Sequence, residues 1–183
     1  LWVGTKRGLN QFVDGRGIPY TVSEGLPSNE TGPVLQDSKG AIWAGTLDAG
    51  LAHFDGRRFV GLPSSDGLPS KTVRAMVEDR DGSLWIGTDK GLAQVSGSRV
   101  SARFGAADGL PAADIRSLLQ SRDGVLWIGT SKGLASLRNG RISKEFEAPH
   151  AEIRSIGQDR SGQILIATEE GVYRRNGAGW GAV

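Results

Sequence analysis

Apolar and polar positions alternate along this chain in short runs, and each run is closed by a glycine-containing turn. That two-residue period predicts strands, and almost nothing in the chain has the period of a helix. Residues 73–104 show the pattern most cleanly. Val73 to Glu78 reads as a first strand, A. Arg80-Asp81-Gly82 is a tight turn, since Asp-Gly is favoured where positive φ is required. Leu84 to Thr88 reads as strand B, apolar on both faces, as a strand covered from two sides must be. Asp89-Lys90-Gly91 leads into strand C, Leu92 to Val95. Ser96-Gly97-Ser98 leads into strand D, Arg99 to Phe104. A longer link, Gly105 to Asp114, carries the chain onward.

The same unit returns about every forty-two residues. Leu84-Trp85-Ile86-Gly87-Thr88 recurs unchanged as Leu126-Trp127-Ile128-Gly129-Thr130, with looser copies at Leu1 to Thr5 and Ile42 to Thr46 and a worn one at Ile164 to Thr168. Gly25-Leu26-Pro27, Gly67-Leu68-Pro69 and Gly109-Leu110-Pro111 each stand eighteen residues before their Trp. Repeats of this length, built from short strands and Gly-rich turns, predict an all-β fold, a β-propeller with one four-stranded blade per repeat. Each unit needs neighbours to cover its apolar faces, so one array is expected over residues 1–183. The blade units fall at about 1–24 (partial), 32–62, 73–104, 115–147 and 153–183, or about 4.5–5 blades. The first unit lacks a strand A. The last supplies Ile153 to Gln158, Gln163 to Thr168, Gly171 to Arg175 and a stub of strand D around Trp180. No strand remains to complete the first blade, so the expectation is a piece of a propeller with more than five blades. A five-bladed ring with one defective blade is the alternative.

Charge narrows the function classes. Lys and Arg number 22 and Asp and Glu 20, for a formal charge of +2. The pI of 9.2 reflects that thin margin rather than a basic patch, which argues against a nucleic-acid partner. Cysteine is absent, which removes disulfides and thiolate metal sites. No apolar run reaches the roughly eighteen residues of a membrane span, so this segment is not itself membrane-spanning.

Chemistry on such a scaffold is expected in the loops at one face. Trp2, Trp43, Trp85 and Trp127 offer an aromatic platform on one reading. Their fixed place in mid-strand beside Gly-Thr assigns them instead to the blade core. The Asp-Gly turns supply too few oxygens for calcium, so no metal site is expected. Arg74, Arg116 and Arg154 hold the same place in three successive A strands, with Gly32 in the fourth. Strand A lies innermost in a propeller, so these side chains are candidate ligand-binding residues at the channel mouth. The alternative is that each pairs with a local acid. The turns between strands B and C vary from blade to blade and should share a face with the D-to-A links. They add Asp48, Asp89, Lys90, Lys132 and Glu169 as candidate top-face residues. His53 and His150 occupy unrelated repeat positions and have no partners at the spacing a general base needs. No catalytic residue and no cofactor is expected.

At these residues the chain resembles the two-component regulator propeller repeat. That family's blade runs Gly-Leu-Pro-Ser, then Val, Glu-Asp, Gly and Leu-Trp-Ile-Gly-Thr at fixed offsets, then Gly-Leu. Gly67-Leu68-Pro69-Ser70, Val73, Glu78-Asp79, Gly82, Leu84 to Thr88 and Gly91-Leu92 match position by position, and the likeness weakens in the last unit, where Leu165 replaces Trp and Ala167 replaces Gly. The resemblance implies a seven-bladed propeller serving as the extracytoplasmic, periplasmic sensing part of a signalling protein. A histidine kinase or diguanylate cyclase would lie beyond it. It implies a small-molecule or glycan ligand and no catalysis in this segment. A homodimer, or self-association by strand addition, is the expected mode of assembly. A propeller lyase similar to the streptogramin lyases, and a protein-binding scaffold, are the alternatives.

Overall fold

The computed structural model describes residues 1–62, 67–177 and 179–183. Its described residues form nineteen strands in five antiparallel sheets, each a simple meander. The first sheet has three strands: β1 (Trp2–Thr5), β2 (Gly8–Val13) and β3 (Arg16–Tyr20). The second joins β4 (Thr31–Gln36), β5 (Ile42–Thr46), β6 (Leu51–Phe54) and β7 (Phe59–Gly61). The third joins β8 (Val73–Glu78), β9 (Leu84–Thr88), β10 (Gly91–Ser96) and β11 (Arg99–Phe104). The fourth joins β12 (Ile115–Gln120), β13 (Leu126–Thr130), β14 (Gly133–Arg138) and β15 (Arg141–Lys144). The fifth joins β16 (Ser155–Gln158), β17 (Ile164–Ala167), β18 (Val172–Asn176) and β19 (Gly179–Ala182). The stub expected at Trp180 is thus a paired fourth strand, with Trp180 opposite Arg175.

First strands β4, β8, β12 and β16 neighbour one another in sequence order, which puts them innermost around a common axis. The core is divided into four seams, one between each pair of adjacent sheets. Trp85, Leu92, Ile115 and Ile128 lie in the seam between the third and fourth. Trp127, Leu134, Ile153 and Ile164 fill the next. The two earlier seams gather Leu9, Ile42 and Phe59, then Leu51, Val73 and Ile86. The link leucines act as plugs: Leu26 and Leu110 are buried at the edges of their seams, and Ala148 is buried in the fourth link, which has no Gly-Leu-Pro.

The pentad Leu-Trp-Ile-Gly-Thr is the unit that builds a seam. All five of its residues are buried in β9 and in β13. The Trp85 ring is covered by the next blade, and its Nε1–H donates to Asp79 at 2.8 Å; Trp43 donates to Asp37 at the same distance. Burying such a ring removes ~150–250 Å² from water, an upper bound of about 4–6 kcal/mol. Gly87 leaves room for the next blade, since a Cβ there would lie 2.6 Å from Ile115 Cγ2. The Thr88 hydroxyl donates to the Gly91 carbonyl at 2.8 Å, closing the turn in which Gly91 takes a positive φ.

Candidate functional site

Turns between second and third strands share one face with the links, as Lys132 and the fourth link line a common cleft there. On the axial side of that face, β8 and β12 each carry an irregularity. Val73 pairs with Thr88 and Ala75 with Gly87, so Arg74 is left over; Ile115 and Ser117 leave out Arg116 in the same way. A bulge of this kind re-aims one side chain out of the ladder. Gly32 and Pro33 fill the corresponding break in β4.

The bulge arginines meet acids from the neighbouring links. Arg74 Nε lies 3.2 Å from Asp114 Oδ1, Arg116 reaches Asp114 Oδ2 at 2.8 Å, and Arg116 Nε stands 3.5 Å from Glu152. Arg154, the most exposed of the three, meets Glu169 at 3.5 Å. Three guanidinium groups thus face three carboxylates, and the row is balanced rather than purely cationic. Arg74 and Arg116 border a shallow cleft of about 280 Å³ with Gly32, Pro33 and Leu47. Glu169 is therefore tied to the arginine row, whereas Asp48, Lys90 and Lys132 extend into solvent and Asp89 is half-buried. The acids at 114 and 152 escape a sequence search because they stand in links, outside the repeated strand pattern.

A second cleft on this face, of about 190 Å³, lies where the fourth link folds over the turn between β13 and β14. Phe146, Lys132, Lys144, Glu145, His150 and Pro149 are among the residues that line it. Phe146 is 71% exposed. Phe104, forty-two residues earlier, instead pairs opposite Leu92, where the fourth blade sets Glu145 opposite Leu134, and its ring lies 6.0 Å from that of Trp85. Trp127 packs against Trp180 from the fifth blade, edge-on at 6.2 Å. Sequence reasoning missed Phe146 because the forty-two-residue spacing aligns it with the packed Phe104, and the extra residue in β11 that breaks this alignment is not visible in the sequence.

Of the tryptophans assigned to the core, Trp85 and Trp127 are buried, and Trp2 and Trp43 are half-buried at the two earlier seams. His53 lies on β6 with its ring 5.6 Å from that of Trp43, away from the innermost strands. Among the described residues, no three His, Asp or Glu side chains come together as metal ligands. No described helix is long and apolar enough to cross a membrane.

In sequence the chain matches the two-component regulator propeller family over residues 67–90 and 109–132. No curated protein matches it. Its fold is similar to the extracellular domain of the putative hybrid two component system BT4673 from B. thetaiotaomicron, with a TM-score of 0.82 at 19% identity over 100% of this chain and 29% of that one. Virginiamycin B lyase from Staphylococcus aureus gives 0.78 at 14% identity, over 100% of this chain and 65% of the lyase. PorZ, a surface component of the type-IX secretion system of Porphyromonas gingivalis, gives 0.64 at 16%, over 94% of this chain and 30% of PorZ. This chain therefore spans less than a third of the BT4673 domain. At these identities the likeness carries the fold alone, a β-propeller.

Proposed function

The third and fourth units of this chain are two-component regulator propeller repeats, and on that premise we propose that it is a non-catalytic, ligand-sensing propeller domain of a two-component-type signalling receptor, working outside the cytoplasm. The observation that carries the reading is the Phe146 cleft. An exposed aromatic ring beside Lys132 and Lys144 suits a small molecule or glycan that presents an apolar face and an acidic group. The two histidines stand away from the innermost strands, one beside Trp43 on β6 and the other in the fourth link, in a cleft whose acid, Glu145, is held by the Ser136 hydroxyl at 2.7 Å. A lyase of the same fold would need a base and an acidic partner converging on the channel wall. Ligand capture here would act by favouring one of two receptor arrangements, by no more than its differential affinity for them.

The test is a thermal-shift screen against oligosaccharides and small anions, followed by calorimetric titration of the hits. Phe146→Ala and Lys144→Ala are each expected to weaken a hit about tenfold, the loss of one stacking or charge-assisted contact, and to leave the unliganded melting temperature unchanged. Binding indifferent to both substitutions would overturn the assignment of this cleft, and chemical turnover of a bound compound would overturn the non-catalytic reading.

A further inference from the structure

We propose a second binding site, for a ligand carboxylate, in the cleft between the fourth and fifth blades on the face opposite the links. It is the largest cleft described, about 540 Å³, and Trp127, Arg175, Arg122, Asp123, Gln158 and Gln163 are among its lining residues. Its counterpart one seam earlier, beside Trp85, measures about 380 Å³.

Two substitutions within the repeat set this cleft apart. Asp37 and Asp79 accept the indole N–H of Trp43 and Trp85, but the same place in the fourth blade is Ser121. The Ser121 hydroxyl has one proton to give, to the Asp123 carboxylate at 2.6 Å or the Val125 carbonyl at 2.7 Å, and its oxygen does not reach the indole. Trp127, only 1% exposed, is left with a buried Nε1–H that has no acceptor. The second change is Arg175, which stands where the preceding blades have Val95 and Leu137. Its guanidinium carbon lies 4.7 Å from the centre of the Trp127 ring, and its buried Nε also lacks an acceptor. Glu145 pairs with that guanidinium at its Nη2, with Oε2 3.8 Å away.

The Trp180 indole N–H in the same seam is also buried without an acceptor. Such donors are costly unless something answers them, since a buried N–H without a partner loses its hydration for nothing. The missing group is an acceptor, in the place where the neighbouring blades hold an aspartate carboxylate. Arg122 adds a further positive charge at the rim, while Asp123 is engaged by Ser121 and, at 3.6 Å, by Arg138. A carboxylate supplied from outside would restore the pair that Asp79 makes within the third blade and would bind the Arg175 guanidinium as well.

The indole Nε1–H resonance of Trp127, identified by its absence in Trp127→Phe, reads the site directly in a 15N-labelled sample. Sodium acetate and sodium succinate are titrated at ionic strength held constant with chloride. The resonance is expected to move and to saturate with carboxylate but not with chloride. Arg175→Leu should weaken the apparent affinity at least about tenfold, the loss of one charge-assisted contact. Ser121→Asp, which supplies the acceptor internally, should displace the resonance before any titration and abolish the response. Both variants install the residue found in a neighbouring blade, and either alone decides the matter. An indole signal indifferent to carboxylate, or one that moves equally in both variants, would mean that water alone occupies the cleft and would overturn the proposal.

Discussion

Gly87 has no side chain, yet it fixes how closely two blades approach. The clash that a Cβ would make with Ile115 is not with a flexible tip, because the branch point Cβ of Ile115 also lies within 3.0 Å. Gly87→Ala is therefore expected to cost about 1–3 kcal/mol, the usual penalty for overpacking, read as a lower urea midpoint with an unchanged slope. Gly157→Ala is the control, since a Cβ there meets nothing within 4 Å, and its unfolding free energy should stay within about 0.5 kcal/mol of the parent. The repeated pentad reveals where this glycine stands but not why. The reason lies in the Ile115 of another blade, which no local pattern encodes.

At the scale of strands and turns, alternation located the second strands closely, because apolar residues on both faces leave little choice of boundary. It also led to the fourth strand of the last blade being read as a stub, since glycines flank Trp180 and weaken the pattern. Neither bulge was readable: Arg74 and Arg116 look like ordinary outward positions until the pairing shows that their partners skip them. The turns between first and second strands share a device that titrates. In four of them an aspartate is held below its ordinary range. Burial would push Asp37 up, but donation from Trp43 and from the Ala41 and Lys39 amides outweighs it; Asp81, Asp123 and Asp159 are held down chiefly by the hydroxyls of Ser83, Ser121 and Ser161. A carboxylate lowered on folding stabilises the fold at pH above its unfolded value, here 3.8, and that contribution is lost as pH falls from there through the lower folded value. Urea midpoints are thus expected to be flat from pH 7 to about 5 and to drop between about pH 4 and 2. A midpoint unchanged down to the lowest pH would show that these turns contribute nothing.

Across the whole molecule, each sheet relies on its neighbours, and stability follows the seams. The middle blades are sandwiched from both sides, and β9 and β13 are buried along their full length. The first sheet has three strands and leaves Val3, Phe12, Val13 and Ile18 substantially exposed. Hydrogen exchange is expected to release the amides of β1–β3 first and those of β9 and β13 last, in line with the local density of buried contacts. Uniform protection across all five sheets would instead mark a single cooperative unit. Asp114 gives this chain of seams a further property. It stands between the third and fourth blades and grips an arginine from each. An anion that captured either guanidinium would have to loosen that clasp, so occupancy at the axis and the set of one blade against the next would change together.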